Sequence, residues 1–294
     1  MTFRRNIASD DLAEGGFTGF VRSLLAGIPW SERAEGEEEL HLKPPPGGIF
    51  RLHNANGRTR VCGEDRSDIE VRVAKTARAE SSEAADRLLE QICVASAENN
   101  GALELEVEIP RKWNRRGCAN VEVHLPRTMQ VELTAVNGRI EIVGVRGHIR
   151  ARSSNGSASI ADVEGNIAVA TSNAKVCCSR TCGKLVARSS NGKIEIEEHR
   201  GSVDASTSNG LIRASLEEVG KQGVQLATSN GRIVLELPEE VDADVDIRVD
   251  NGIIRNDRSL RRATRETNGR LSGRLGNGGA LIKLRTSNGS IALR

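Results

Sequence analysis

The chain has almost no aromatic side chains. Of its 294 residues, four are Phe, two are Trp and none is Tyr. A core therefore has to be built from Ile, Val, Leu and Ala, which favours a narrow, regular interior over a deep globular one. Hydrophobic residues still make up 37% of the sequence, which is adequate for a folded chain of this length.

The sequence also lacks an excess of charge of either sign. Its 42 Lys and Arg residues are balanced by 40 Asp and Glu residues, and the formal net charge is +2. A balance this even is not typical of a nucleic-acid-binding domain. Nucleic acid is therefore not an expected partner, and any site for another polyanion would have to be local.

Long hydrophobic runs are missing as well, because no stretch reaches the roughly 18 apolar residues that a membrane-spanning helix needs. The first residues carry Asp10, Asp11 and Glu14 and show no continuous apolar segment before a small-residue cleavage site, so we expect no secretory signal. The chain is predicted to be cytoplasmic, with a peripheral position at the membrane as the alternative. The cysteines are then expected to be thiols.

What the sequence does have is a repeat. An asparagine, usually within the phrase Thr/Ser-Ser-Asn-Gly, returns at intervals of about 17 to 21 residues. The repeated residues are Asn137, Asn155, Asn173, Asn191, Asn209, Asn230, Asn251, Asn268 and Asn288. A repeat of this length predicts an array of identical supersecondary units.

Apolar residues flank each asparagine at spacings of two. Around Asn137 these are Val131 and Leu133 on one side and Ile140 and Ile142 on the other. This spacing predicts two short strands in each unit, each with one buried face. We expect glycine after the asparagine because the corner between the strands needs a positive φ. A second corner, usually ending in glycine, follows about ten residues later.

Two architectures fit this pattern, a meander of antiparallel Asn-Gly hairpins and a parallel solenoid. Like positions stack about 4.8 Å apart in a parallel solenoid, so asparagine can hydrogen-bond to asparagine. A meander gives no reason to keep the same polar residue in each unit. We therefore predict an all-β fold, a parallel β-solenoid or β-helix of about nine or ten coils, in which the nine asparagines form a structural ladder. The extra residues in "LEEVGKQG" and "LPEEVDAD" are expected at an outer corner.

The region from Ile49 to Arg294 resembles a known bacterial family. The resemblance rests on "NANGRTRVCGEDRSDIEVRVAKTARAESSEAADRLLEQICV", on "ANVEVHLPRTMQVELTAVNGRIEIVGVRGHIRARSSNG" and on the repeats that follow. An Asn-Gly strand pair, a short helix, two strands ending in Pro and then the array are similar to the "putative adhesin" β-strand-repeat proteins, which contain domain of unknown function 4097. The resemblance implies a parallel β-helix-like solenoid with no established enzymatic role and no catalytic motif.

Three regions are predicted along the chain. Residues 1–36 are expected to form an amphipathic helix and an acidic linker, residues 37–136 the first part of the solenoid, and residues 137–294 the Asn-Gly array. A helix over 82–96, which Ser82 can cap, is expected to cover the first coils. A face that binds a partner is the alternative. The other end finishes on a strand without a visible lid, which leaves self-association or a cover from another segment.

The N-terminal helix has an apolar stripe at helical spacing. Its members are Phe17, Phe20, Val21, Leu24, Leu25 and Ile28. Three roles stay open for this stripe: packing on its own solenoid, binding a protein partner, and lying on a membrane surface.

Basic residues recur two positions after several asparagines and predict a basic seam along one edge. They are Arg139, Lys175, Lys193, Arg232 and Arg270. The seam serves solubility and edge protection, or it binds an anionic polymer or lipid surface. Cys177 and Cys178 are expected on opposite faces of a strand, which favours structural thiols over a zinc site.

No catalytic, cofactor or metal site is expected, because the histidines share no coil position and no phosphate-binding glycine loop opens a helix. The sequence therefore predicts a non-catalytic structural or interaction scaffold. The alternative is a binding module for an anionic polymer or an envelope surface. A β-helix enzyme is the third hypothesis and would need a cluster of acidic and basic groups.

Overall fold

The computed structural model describes residues 32–110, 116–266 and 269–294. This part of the chain forms one sheet of 18 strands and a single helix. The elements are β1 (Glu32–Leu42), β2 (Ile49–Asn56), β3 (Thr59–Glu64), β4 (Ile69–Ala79), α1 (Ser82–Glu90), β5 (Cys93–Asn99), β6 (Ala102–Glu108), β7 (Arg116–Pro126), β8 (Gln130–Asn137), β9 (Ile140–Val143), β10 (Ile149–Ser153), β11 (Ala158–Thr171), β12 (Val176–Ser189), β13 (Ile194–Asn209), β14 (Ile212–Glu236), β15 (Ala243–Asn256), β16 (Arg261–Glu266), β17 (Arg270–Leu275) and β18 (Ala280–Leu293).

The repeated segments stack as rungs, each rung being one repeat with a strand segment on either side of its asparagine. Pairing between rungs is parallel, with Ile149 opposite Ile167 and Ile167 opposite Leu185. Burial alternates along the repeat segments such as β8, β10 and β12, and the inward aliphatic side chains of both segments join one core. The prediction of an all-β fold is confirmed, and the period-two pattern is its cause.

At the end of the stack that the C-terminal strands form, the rungs do not follow one another in sequence order. β18 lies between β14 and β15, and Ile282 is paired with Val224 on one side and with Val245 on the other. Of the two alternatives expected for the C-terminal strand, an open edge available for self-association or a cover from another segment, the structure shows the second, because β15 covers the edge of β18. The extra residues 237–242 lie between β14 and β15, where the chain has to pass the rung that β18 occupies.

Both ends of the stack finish in antiparallel strands. At the end that the N-terminal strands form, β2 and β3 stack on β8 and β9, and β6 and β7 stack on β2 and β3. β5 then pairs antiparallel with β6, β4 with β7, and β1 with β4. At the end that the C-terminal strands form, β17 pairs antiparallel with β15, and β16 pairs antiparallel with β17. The arginine-rich stretch thus forms a hairpin and does not add a rung.

The segment expected to be an acidic linker is strand β1. It pairs with β4 along its whole length, from Glu32 opposite Ala79 to Leu42 opposite Ile69. Glu38, which points to the inner side of this pair, accepts a hydrogen bond of 2.6 Å from the ammonium group of Lys75. The linker prediction was wrong because backbone pairing and this ion pair outweigh the low strand propensity of glutamate.

Helix α1 is shorter than predicted, because it ends at Glu90 and β5 begins at Cys93. Its N-cap is Ser81 and not Ser82, and the Ser81 hydroxyl accepts a hydrogen bond from the backbone N–H of Ala84 at 3.3 Å. The helix packs against β1 and β4 and buries Leu88 completely. It therefore closes the core beside β4.

The predicted N-terminal helix over Phe17 to Ile28 lies outside the described residues, as does Asn268. None of the helices within the described ranges has the length and the apolar content to cross a membrane.

Candidate functional site

The asparagines at the corners form a column of hydrogen bonds. The side-chain amide nitrogen Nδ2 of Asn155 donates to Oδ1 of Asn137 at 2.8 Å, and Asn173 donates to Asn155 at 2.9 Å. In stacking order the column runs Asn137, Asn155, Asn173, Asn191, Asn209, Asn230, Asn288 and Asn251. Each interior amide donates one bond and accepts one along this column, so these groups act structurally.

In six of the repeats a serine or threonine lies two positions before the asparagine and belongs to a second column; these residues are Ser153, Thr171, Ser189, Thr207, Thr228 and Thr286. The Thr207 hydroxyl donates to the carbonyl oxygen of Gly192 in the preceding rung at 3.1 Å, and Thr171 donates in the same way to Gly156 at 3.0 Å. These hydroxyl side chains are buried. The repeated phrase therefore holds neighbouring rungs together through both its hydroxyl and its amide.

The glycine after the asparagine is required for a reason other than the one predicted. A Cβ atom on Gly156 would lie 1.6 Å from the carbonyl oxygen of Gly138 in the neighbouring rung. Most of these glycines do not have a positive φ, so that expectation was wrong for them. Positive φ values occur instead at the second corner, at Gly165 (139°) and Gly183 (119°).

The structure does not bring the predicted basic seam together as a free basic edge. Lys175 and Lys193 both form ion pairs with Glu195, and first Lys175 and then Lys193 hold the pKa of this carboxyl below its usual value. Arg139 lies 3.6 Å from Glu141. The same column is interrupted by uncharged residues at 157 and 211.

Arg232 and Arg270, the two other members of the seam, lie on different strands and have different neighbours. Arg232 lies on β14 opposite Ser290 of β18. Arg270 lies on β17 and donates to Asp246 of β15 at 3.1 Å. The five residues therefore share a position in the sequence repeat without forming one continuous surface.

A groove of about 470 Å³ lies on the outer surface beside the asparagine column. Ser206 and Ala227, which are paired in neighbouring rungs, form its floor. The same column of paired residues continues with Arg188 next to Ser206, and with Arg285 and then Arg248 next to Ala227. The groove exists because Ser206 and Ala227 have small side chains, whereas the rungs on either side of them carry arginine at this position. Its lining residues are Ser189, Ser206, Thr207, Ser208, Ala227, Thr228, Ser229, Arg248, Asp250, Arg285, Thr286 and Ser287.

The groove contains hydroxyl groups and oriented guanidinium groups. Arg188 is not a lining residue, but it is paired with Ser206 at the rim, where it donates to Oδ1 of Asp204 at 2.9 Å and to the Asp204 carbonyl at 2.7 Å. Arg248 donates to Asp250 at 3.0 Å. Ser208 and Ser229 are exposed and also line the groove. The arrangement can form hydrogen bonds with a polar ligand along several rungs.

The sequence from residue 60 to residue 294 matches the family model described as Toastrack DUF4097. The chain belongs to this family. The match confirms the resemblance found in the sequence. Among curated proteins, no relative matches this Toastrack chain.

Several proteins of solved structure are similar to this Toastrack chain. A "putative adhesin" of Parabacteroides merdae has a TM-score of 0.50 at 10% identity, covering 90% of this chain and 97% of its own. A "putative adhesin" of Bacteroides fragilis has a TM-score of 0.46 at 11% identity, covering 90% and 99%. A "putative lipid binding protein" of Parabacteroides distasonis has a TM-score of 0.32 at 11% identity, covering 88% and 97%. The first likeness shows the fold alone.

Cys178 and Cys177 lie on opposite faces of β12 in this Toastrack chain. Cys178 is buried in the core, and Cys177 is half-buried on the outer face. Burial raises the pKa of both thiols, so both are poor nucleophiles. Within residues 32–110, 116–266 and 269–294, no three His, Cys, Asp or Glu side chains are placed to hold a metal ion.

His199 is a buried titratable residue that the sequence did not single out. Its Nδ1 lies 2.8 Å from the hydroxyl of Thr181, and its Nε2 has no hydrogen-bond partner among the described residues. Burial lowers its pKa to about 4. The imidazole is therefore neutral in the folded protein near pH 7 and belongs to the core.

Proposed function

We propose that this Toastrack chain is a non-catalytic binding scaffold whose recognition surface is the groove beside the asparagine column. The observation that carries the proposal is the column from Arg188 through Ser206 and Ala227 to Arg285. The rungs that carry it are joined by asparagine amides and by buried hydroxyls. A surface held in this way loses little conformational entropy when a ligand binds.

The chemistry of the groove favours an extended polymer with hydroxyl and anionic groups. Arg188 and Arg285 are three rungs apart, which corresponds to about 14 Å along the stack. Serine hydroxyls between them can donate and accept hydrogen bonds, while a guanidinium group binds carboxylate in a bidentate manner. An acidic polysaccharide presents both kinds of group at repeated spacing.

A second candidate is an anionic membrane or envelope surface that binds the arginine-rich edge. Arg261 and Arg262 on β16 are exposed and adjacent, and basic clusters are attracted to anionic surfaces. The cytoplasm remains the proposed location. The exposed thiols of Cys93 and Cys182 suit a reducing compartment.

The test is a binding titration of the full chain with alginate, with dextran of matched length and with vesicles containing phosphatidylglycerol. We expect Ala227→Glu to weaken alginate binding by about tenfold or more, because it fills the floor and adds a negative charge. Ala170→Glu is the matched control. Ala170 has the same place in its rung and lies opposite Arg188, on the side away from Ser206.

Loss of alginate binding in Ala227→Glu, with the control within about twofold of the wild type, would support the groove. A wild-type chain that does not bind alginate contradicts the proposal, and so does equal binding by both variants. Binding to vesicles that Arg261→Glu abolishes, without alginate binding, favours the second candidate.

A further inference from the structure

The two ends of the stack carry opposite charge. The outermost elements at one end are β1, α1 and β5, which contain nine acidic and two basic residues, a formal charge of −7. We call these three elements the acidic end. At the other end, residues 253–266 and 269–275 contain seven arginines and two acidic residues, a formal charge of +5. We call these two ranges the basic end.

The rest of the sequence does not cancel this asymmetry. Residues 1–31 contain three arginines and three acidic residues, so their formal charge is zero. Residues 111–115, which lie outside the described ranges, contain three basic residues and offset at most three of the negative charges. The chain as a whole has a formal charge of only +2. The molecule is therefore electrically polar along the stacking direction, although its net charge is small.

Both ends also have unpaired strand edges in the described part of the chain. At the acidic end, β5 pairs only with β6, and β1 pairs only with β4. At the basic end, β16 pairs only with β17, and residues 253–256 of β15 pair only with β18. A free edge presents backbone N–H and C=O groups that can pair with another strand.

The side chains beside these edges are exposed and complementary. Glu37 on β1 and Glu98 on β5 are exposed, as are Arg255 on β15 and Arg261 on β16. Ile253, next to the second edge, is 58% exposed. Like charges at both ends would repel a second copy, whereas opposite charges attract it.

We propose that copies of this chain associate head to tail, with the acidic end of one copy against the basic end of the next. On one side of the stack β5 would face β16, and on the other side β1 would face residues 253–256. Such an interface is heterologous, so it adds copies along the stack and does not close at a dimer. It uses neither the groove nor its lining residues and is independent of the proposed function.

The test compares the mass of the full chain at low and high salt by light scattering after gel filtration. The Debye length is about 30 Å at 0.01 M salt and about 3 Å at 1 M. We expect masses above the 31.7 kDa monomer at low salt, rising with protein concentration. At high salt we expect the monomer alone.

Three variants make the test specific. Glu37→Lys with Glu98→Lys reverses the two acidic side chains beside the edges of β1 and β5 and reduces the formal charge of the acidic end from −7 to −3. Arg255→Glu with Arg261→Glu reverses the two basic side chains beside the opposite edges and reduces the formal charge of the basic end from +5 to +1. We expect each to be monomeric at low salt. An equal mixture of the two should associate again, because each then offers ends that attract the other. The control Arg150→Glu with Arg152→Glu changes two exposed residues of β10, in the middle of the stack, and should behave as the wild type.

Restored association in the mixture supports the head-to-tail interface. A wild-type chain that is monomeric at low salt would overturn the proposal. It is equally overturned by assembly that persists at high salt, by assembly that the control also abolishes, or by a mixture that stays monomeric.

Discussion

At the scale of the residue, the corner asparagine is irreplaceable because its amide carries a donor and an acceptor. Asn191 donates to Asn173 and accepts from Asn209. A carboxylate could only accept, and a serine would not span the same distance. The sequence reveals this column because each asparagine bonds to an asparagine at the same position of the neighbouring rung. It does not reveal the contact that requires glycine at 156, since that contact is with the backbone of another rung.

His199 gives a prediction about pH. Its pKa is lowered from 6.5 to about 4 by burial, so the folded protein binds the proton less readily than the unfolded chain. The contribution to stability is complete above pH 6.5 and is lost as the pH falls towards 4, by on the order of 3 kcal/mol.

Chemical denaturation at several pH values checks this prediction. We expect His199→Leu, which copies the Leu216 that faces it in the next rung, to flatten the dependence of unfolding free energy on pH between about 4 and 6.5. Above that range the two proteins should show parallel curves. Parallel curves at acidic pH as well would show that His199 does not titrate as its burial implies.

At the scale of the element, pairing decides structure where side-chain propensity does not. The helix could be predicted because Ala85 and Leu88 follow a helical spacing and become buried. Strand β1 could not, because its five glutamates oppose a strand assignment and only the partner β4 explains it. The groove could not be predicted either, since Ala227 and Arg285 are far apart in sequence and meet only through β18.

The contribution of α1 can be measured with two leucines of the same helix. Leu88 is completely buried, and Leu89 is partly buried. We expect Leu88→Ala to lower the free energy of unfolding by about 3 kcal/mol, since it leaves a cavity between the helix and the sheet. Leu89→Ala should cost about 1 kcal/mol. Equal losses in denaturant titrations would contradict the packing described for this helix.

At the scale of the whole molecule, sequence alone predicts the stacked units but not their order. β15 and β18 carry the same pattern, with Val245 and Ile247 equivalent to Ile282 and Leu284. Either strand could lie beside β14. What decides the order is the path of the connecting segments, and periodicity does not report on it.

The order of the rungs can be tested with pairs of introduced cysteines. Gln225 lies opposite Lys283, and Lys283 lies opposite Asp246. We expect Gln225→Cys with Lys283→Cys to form a disulfide under mild oxidation, because adjacent strands lie about 4.8 Å apart. Gln225→Cys with Asp246→Cys spans two rungs, about 10 Å, and should not. Mass spectrometry of the linked peptides gives the answer, and the opposite result would mean stacking in sequence order.

The position of β18 also matters while the protein is being made. A ribosome completes β15 before β18, so the nascent chain has an open slot beside β14 and a finished strand that fits it in the same register. Binding of β15 in that slot would have to be undone before β18 could enter. Two nearly equivalent strands thus compete for one position once β18 has been made, and such competition favours a kinetic trap.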